Sequence, residues 1–233
     1  PGKDHFRIAT EYLNQYFENG TSRSDYQMSP AAREFLAAIL APKIVQDFES
    51  PNFSEREDAR HIEDCMLYHE VATRIAGEGD DLTRVRRIFD WIVRQVQLVP
   101  PQSLAPTGLK QAQARPYDVL LRGMATEAGG YWSERGWLFM ALCRQLGIDT
   151  GLLTFTPRLP PKLLSNQPDQ PEEAGPVVWI CTALIDDKAY LFDARLGIVI
   201  PDAAGTGAAT LEEALTNPDI LNRLTITNEY VYD

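Results

Sequence analysis

The residues best able to do chemistry are few: three histidines, His5, His61 and His69, and three cysteines, Cys65, Cys143 and Cys181. His61, Cys65 and His69 fall at i, i+4 and i+8 on one predicted helix, the most metal-like spacing in the chain. A single ion can bridge i and i+4, but i to i+8 runs about 12 Å along a helix, too far for one coordination sphere. At most two of the three could ligate. Cys65 and His69 also continue an apolar stripe with Ile62, Met66, Ala72 and Ile75, so packing at a core edge is their expected role. No metal and no cofactor is assigned. None of the cysteines belongs to a CxxC pair, which argues against a disulfide framework and against a thiolate zinc site. Cys143 sits mid-helix between Leu142 and Arg144, and Cys181 lies in a dense apolar run. Both are expected to be buried, reduced thiols.

The elements that must position such groups change character along the chain. The first third reads as helices. Ser29 with Pro30 is a predicted N-cap with proline at the first helical position, and Ser54 with Glu57 a capping box that opens a helix to about Ile75. Val85, Ile88, Phe89, Ile92, Val93 and Val96 recur at helical spacing with charges between them, predicting an amphipathic helix that Pro100 and Pro101 end. A short helix is expected at Tyr117 to Leu121, after Pro116. Gly129 and Gly130 then precede a segment, Gly136 to Cys143, that is apolar on every side and so must be buried.

From Thr150 the pattern turns to strands. Thr150 to Phe155, Val177 to Ile185, Tyr190 to Phe192 and Ile198 to Ile200 read as an antiparallel meander with a tight turn at Asp186 and Asp187. Between Thr156 and Pro176 stand six of the sixteen prolines, the mark of a long surface loop. Thr210 with Glu213 is a second capping box, and Leu224 to Tyr232 reads as a last strand. Helices followed by strands predict an α+β fold with the buried helix packed on an antiparallel sheet.

Length and composition bound the function. A chain of 233 residues, 44% hydrophobic and 24% charged, is long enough for a sizeable core and rules out wholesale disorder. The net charge of −11, with no basic stripe, makes nucleic acid an improbable partner. No apolar run reaches the length of a membrane span, so no membrane contact is expected within this chain. It begins at Pro1 without methionine and stops at Asp233 directly after a strand-like segment. That reads as an excised piece of something longer, from which a leader or anchor could have been lost.

The order of elements and several strings resemble the transglutaminase-like superfamily, whose core is related to papain-type cysteine proteases. Arg84 to Val96, with Ile88 and Trp91, is similar to the family's helix ahead of the catalytic region. Pro116-Tyr117-Asp118-Val119-Leu120-Leu121-Arg122-Gly123 resembles the segment leading to the nucleophile. Leu138 to Ile148, LFMALCRQLGI, resembles the central helix with its Arg-x-x-Gly-Ile exit, and VVWICTALIDDKAYLFDARLG the His-x-Trp strand, turn and Asp-bearing strand. The match covers about Leu82 to Pro201. It implies an N-terminal helical extension over 1–80 and a transglutaminase-like, papain-like domain over 81–233.

In that family a cysteine at the start of the central helix attacks an acyl carbon, a histidine stabilises its thiolate and an aspartate orients the histidine. Counting back from Arg144, Leu146 and Gly147 places the family cysteine at Trp132, with Ser133 beside it. Trp179 matches the family tryptophan, so the family histidine falls on Val177, and only Asp193 matches its expected type. No histidine follows His69, so no small shift of alignment restores a Cys–His pair. Ser133 is expected to be an N-cap, Glu134 to compensate the helix dipole, and Asp193 to cap a turn or pair with Arg195 or another cation. Trp132 and Tyr131 are expected to fill or line the former cleft. The expected function is a catalytically inactive transglutaminase-like domain acting as a structural module, or holding a peptide, protein or glycan in that cleft. The rival is a hydrolase or acyltransferase with a rebuilt site of Ser133, His69 and Asp193.

Overall fold

The computed structural model describes residues 4–19, 28–49, 52–100, 114–126, 133–155, 177–225 and 232. They form an α+β protein that divides into two compact units, Pro1–Leu67 and Tyr68–Asp233.

The first unit is helical: α1 (Asp4–Asn19), α2 (Pro30–Ile39), α3 (Pro42–Glu49) and the beginning of α4 (Glu57–Ala76). Ser29 caps α2 as expected, its hydroxyl accepting from Ala32 N at 3.2 Å ahead of Pro30. At the start of α4 the Ser54 hydroxyl accepts from Glu57 N at 3.1 Å, but the reciprocal bond comes from Asp58, whose carboxylate takes Ser54 N at 2.5 Å. Aspartate is shorter than glutamate and reaches back from one position later, so the box closes on Asp58 instead of Glu57. The Asn14 amide holds both backbone groups of Phe53, donating to its carbonyl at 2.9 Å and accepting from its N–H at 2.7 Å.

The second unit starts inside α4. Tyr68, Ala72 and Ala76 on the last turns of α4 are buried in its main core, which draws those turns into it. Asp80 caps α5 (Asp81–Gln95), whose buried face is Val85, Ile88, Phe89 and Ile92. The helix stops at Gln95, earlier than the two prolines. From Val96 the backbone is extended, and β1 (Gln97–Leu98) pairs in parallel with β2 (Met124–Ala125), which follows α6 (Pro116–Arg122). Gly123, left-handed at φ 63°, makes the tight exit from α6 that brings β2 alongside.

Next comes α7 (Glu134–Arg144), then β3 (Asp149–Phe155), β4 (Val177–Ile185), β5 (Lys188–Asp193) and β6 (Ile198–Val199), an antiparallel sheet in sequence order. Asp186 and Asp187 both have positive φ, the turn whose twist suits a two-residue hairpin. The capping box of Thr210 and Glu213 opens α8 (Leu211–Thr216), followed by α9 (Asp219–Asn222). Of the expected last strand, Leu224 lies in a turn, donating its N–H to Leu221 O, and residues 226–231 fall outside the described part.

The sheet separates two apolar layers. On one face Cys181, Ala183 and Phe192 join α5 and α7, where Phe89, Phe139 and Phe192 meet with ring centroids 5.2–5.8 Å apart. On the other, Ile180 and Leu191 join Ile200, Ala209, Ala214, Ile220 and Tyr232. The change of partner between adjacent residues is the period-two alternation of a strand covered on both sides. Within Gly136 to Cys143, Gly136, Leu138, Phe139, Leu142 and Cys143 are buried as expected, Met140 and Ala141 are half-buried, and Trp137 is 40% exposed.

Candidate functional site

The amino end of α7 is where the sequence reading places its chemistry. Ser133 is extended at φ −127°, and its buried hydroxyl accepts from Gly136 N at 3.0 Å, the N-cap geometry. Glu134 is fully buried. One of its oxygens accepts from Ala114 N at 2.6 Å, the other from Arg122 Nη2 at 2.9 Å and Thr126 N at 2.8 Å. It therefore ties both ends of the α6 segment to α7, beyond the dipole compensation expected of it. Arg135, also buried, donates through Nε to Val96 O at 2.9 Å and through Nη1 to Ala194 O at 3.1 Å, with Nη2 directed to Val96 O and Val93 O. Those carbonyls at the end of α5 lack helical partners, and a cation suits the negative end of that helix. The sequence held a signal for both residues: charges on a helix with almost no solvent face must be buried, and a buried charge must be partnered.

The third neighbour of this turn comes from β4. An ideal Cβ placed on Gly136 would stand 2.8 Å from Cys181 Sγ and 2.9 Å from Ser133 Oγ. The Cys181 sulfur thus packs against the first turn of α7, and the glycine is what permits it. Cys181 and Cys143 are both buried, and burial pushes the Cys143 thiol far above its ordinary range.

Asp193 lies elsewhere. Two residues from Leu191, it falls on the face of β5 that carries the second core. Its Oδ1 accepts from Leu196 N at 2.8 Å, capping the turn to β6, and its Oδ2 from the Tyr232 hydroxyl at 2.8 Å. The tyrosine, 39 residues away in sequence, has no place in the sequence reading of this site.

His69 is exposed on α4 and makes no hydrogen bond or ion pair among the described residues, while Ser133 and Asp193 are buried, with partners that include those given above. His61 and Cys65 do meet, with Nε2 3.4 Å from Sγ. Among the described residues no three His, Cys, Asp or Glu side chains are grouped to hold a metal, and no helix is long and apolar enough to cross a membrane. Trp132, with Tyr131 beside it, lies outside the described residues. Val177 opens β4 with its backbone opposite Phe155.

The Tyr232 phenol gives the site a pH signature. Burial first, then the Asp193 carboxylate, pushes its ionisation well above the tyrosine range, with Arg195 pulling weakly the other way. An unfolded tyrosine ionises near ~10. Above that pH the unfolded chain releases a proton that the native state keeps. Stability linked to this phenol is therefore whole below about pH 10 and drains away as pH rises toward the folded value. The urea midpoint should fall from about pH 9 to about pH 11, and fall less in Tyr232→Phe. Parallel falls in the two proteins would refute the assignment.

No protein-family model matches the sequence, and no curated protein matches it. Among solved structures the chain is similar to one from Cytophaga hutchinsonii named "putative cysteine protease", at 20% identity and a TM-score of 0.38, over 66% of this chain and 44% of that one. The match spans less than half of that neighbour's length.

Proposed function

We propose that residues 81–233 form a transglutaminase-like, papain-like domain that has lost catalysis and serves as a structural module or holds a peptide, protein or glycan. The observation that carries this reading is the employment of the groups left at the family positions. Ser133 Oγ is the helix cap, and both Asp193 oxygens accept from Leu196 N and the Tyr232 hydroxyl. An acyl-transfer nucleophile needs a base within about 3.2 Å or one water of its proton. The histidines of this chain all precede residue 70, and His69, the one offered by the rebuilt site, is exposed and finds no hydrogen-bond partner among the described residues.

The test is turnover. The purified chain, given a fluorescent amide substrate with and without a primary amine acceptor, should release or transfer no label above the rate of buffer. Turnover abolished by Ser133→Ala or His69→Ala would replace this reading with the hydrolase or acyltransferase built on Ser133, His69 and Asp193.

A further inference from the structure

We propose that the hydrogen bond from Tyr232 to Asp193 is a clasp that holds the second core shut, so that this layer opens as a unit while the first core stays folded. The two layers are built differently. The first rests on α5 and α7, of 15 and 11 residues, and on the three packed phenylalanines. The second is assembled from short pieces: β6 has two residues, α8 six and α9 four, joined to the sheet by the isolated bridges Tyr190–Thr210 and Pro201–Ala208. Helices of that length do not hold themselves together. Their layer also contains the Trp179 indole, whose buried Nε1 finds no acceptor among the described residues, an uncompensated desolvation there.

Tyr232 closes this layer from a distance. Only 8% exposed, it belongs to the second core beside Ile220 and Leu191. Its hydroxyl donates to Asp193, which is itself fully buried, and its backbone N–H to Thr225 Oγ1 at 3.1 Å. One residue thus bonds the last long strand through its hydroxyl and the chain just after α9 through its backbone N–H, with the short elements between. A buried hydrogen bond to a carboxylate is among the stronger kinds. Removing it should free the segment it spans before anything else, since stability in a protein is lost by contiguous units.

Hydrogen exchange followed by mass spectrometry on the whole chain tests this. In Tyr232→Phe, which keeps the ring and removes only the hydroxyl, residues 200–224 should exchange about tenfold faster, the scale of one such bond. Residues 81–95 and 134–144 should stay within about twofold of wild type. Thr225→Ala, which removes the second bond, should speed the same stretch by a smaller factor. Unchanged exchange over 200–224 in Tyr232→Phe would overturn the clasp. So would an equal rise over both cores, because the two layers would then be one cooperative unit.

Discussion

Replacing Glu134 with alanine should lower the free energy of unfolding by about 3–5 kcal/mol, the usual penalty for removing one partner of a buried charge pair. The carboxylate is wholly buried and answers three donors at once: Ala114 N, Thr126 N and the Arg122 guanidinium. Deleting it strands two backbone N–H groups, at roughly 1–3 kcal/mol each where water cannot reach them. Arg122 contributes less, because its side chain is 30% exposed and keeps some water. Glu134→Gln should lose less than alanine. Its amide oxygen can still accept from one side, but its NH2 faces a donor on the other. Against a total of about 5–15 kcal/mol for a domain, the alanine variant should show a urea midpoint shifted by about a fifth or more of its span from zero. A loss below about 1 kcal/mol would mean that water takes over all three bonds, and the buried tie between the α6 segment and α7 would be discarded.

The elements that were legible in the sequence announce themselves locally. The stripe from Val85 to Ile92, the serine and proline before α2, the Thr210–Glu213 box and the paired aspartates of the β4–β5 turn each carry their signal within a few residues. The departures come from partners far away. Val96 continues the helical spacing of α5, yet its carbonyl is taken by Arg135, 39 positions later, and its chain pairs with β2. A two-residue strand has no periodicity to read. Asp193 was legible as a turn cap, but nothing near it in sequence foretells the Tyr232 hydroxyl. Glu134 is the instructive case. A charge in a first helical turn is usually solvated. Here the residues that follow leave almost no polar face, and that pattern alone requires the carboxylate to find buried donors.

Gly136→Ala should destabilise the protein by about 2 kcal/mol, although alanine in place of glycine inside a helix ordinarily gains about 1 kcal/mol. The new methyl would lie 2.8 Å from Cys181 Sγ, 2.9 Å from Ser133 Oγ and 3.1 Å from Ser133 Cβ. Neither neighbour yields easily: the thiol is packed in the first core, and the hydroxyl is fixed by its bond to Gly136 N. Forcing a methyl into a filled core costs about 1–3 kcal/mol, and displacing the cap adds about 1 kcal/mol. The two losses together outweigh the propensity gain. Cys181→Ala removes the sulfur and vacates the space the methyl needs. The double variant should therefore lose at least about 1 kcal/mol less than the two single losses combined, a coupling that a double-mutant cycle by urea denaturation reads directly. Additive losses, or a stabilised Gly136→Ala, would mean that β4 can retreat from α7. In that case the amino end of α7 would no longer be held against that strand by the Cys181 sulfur.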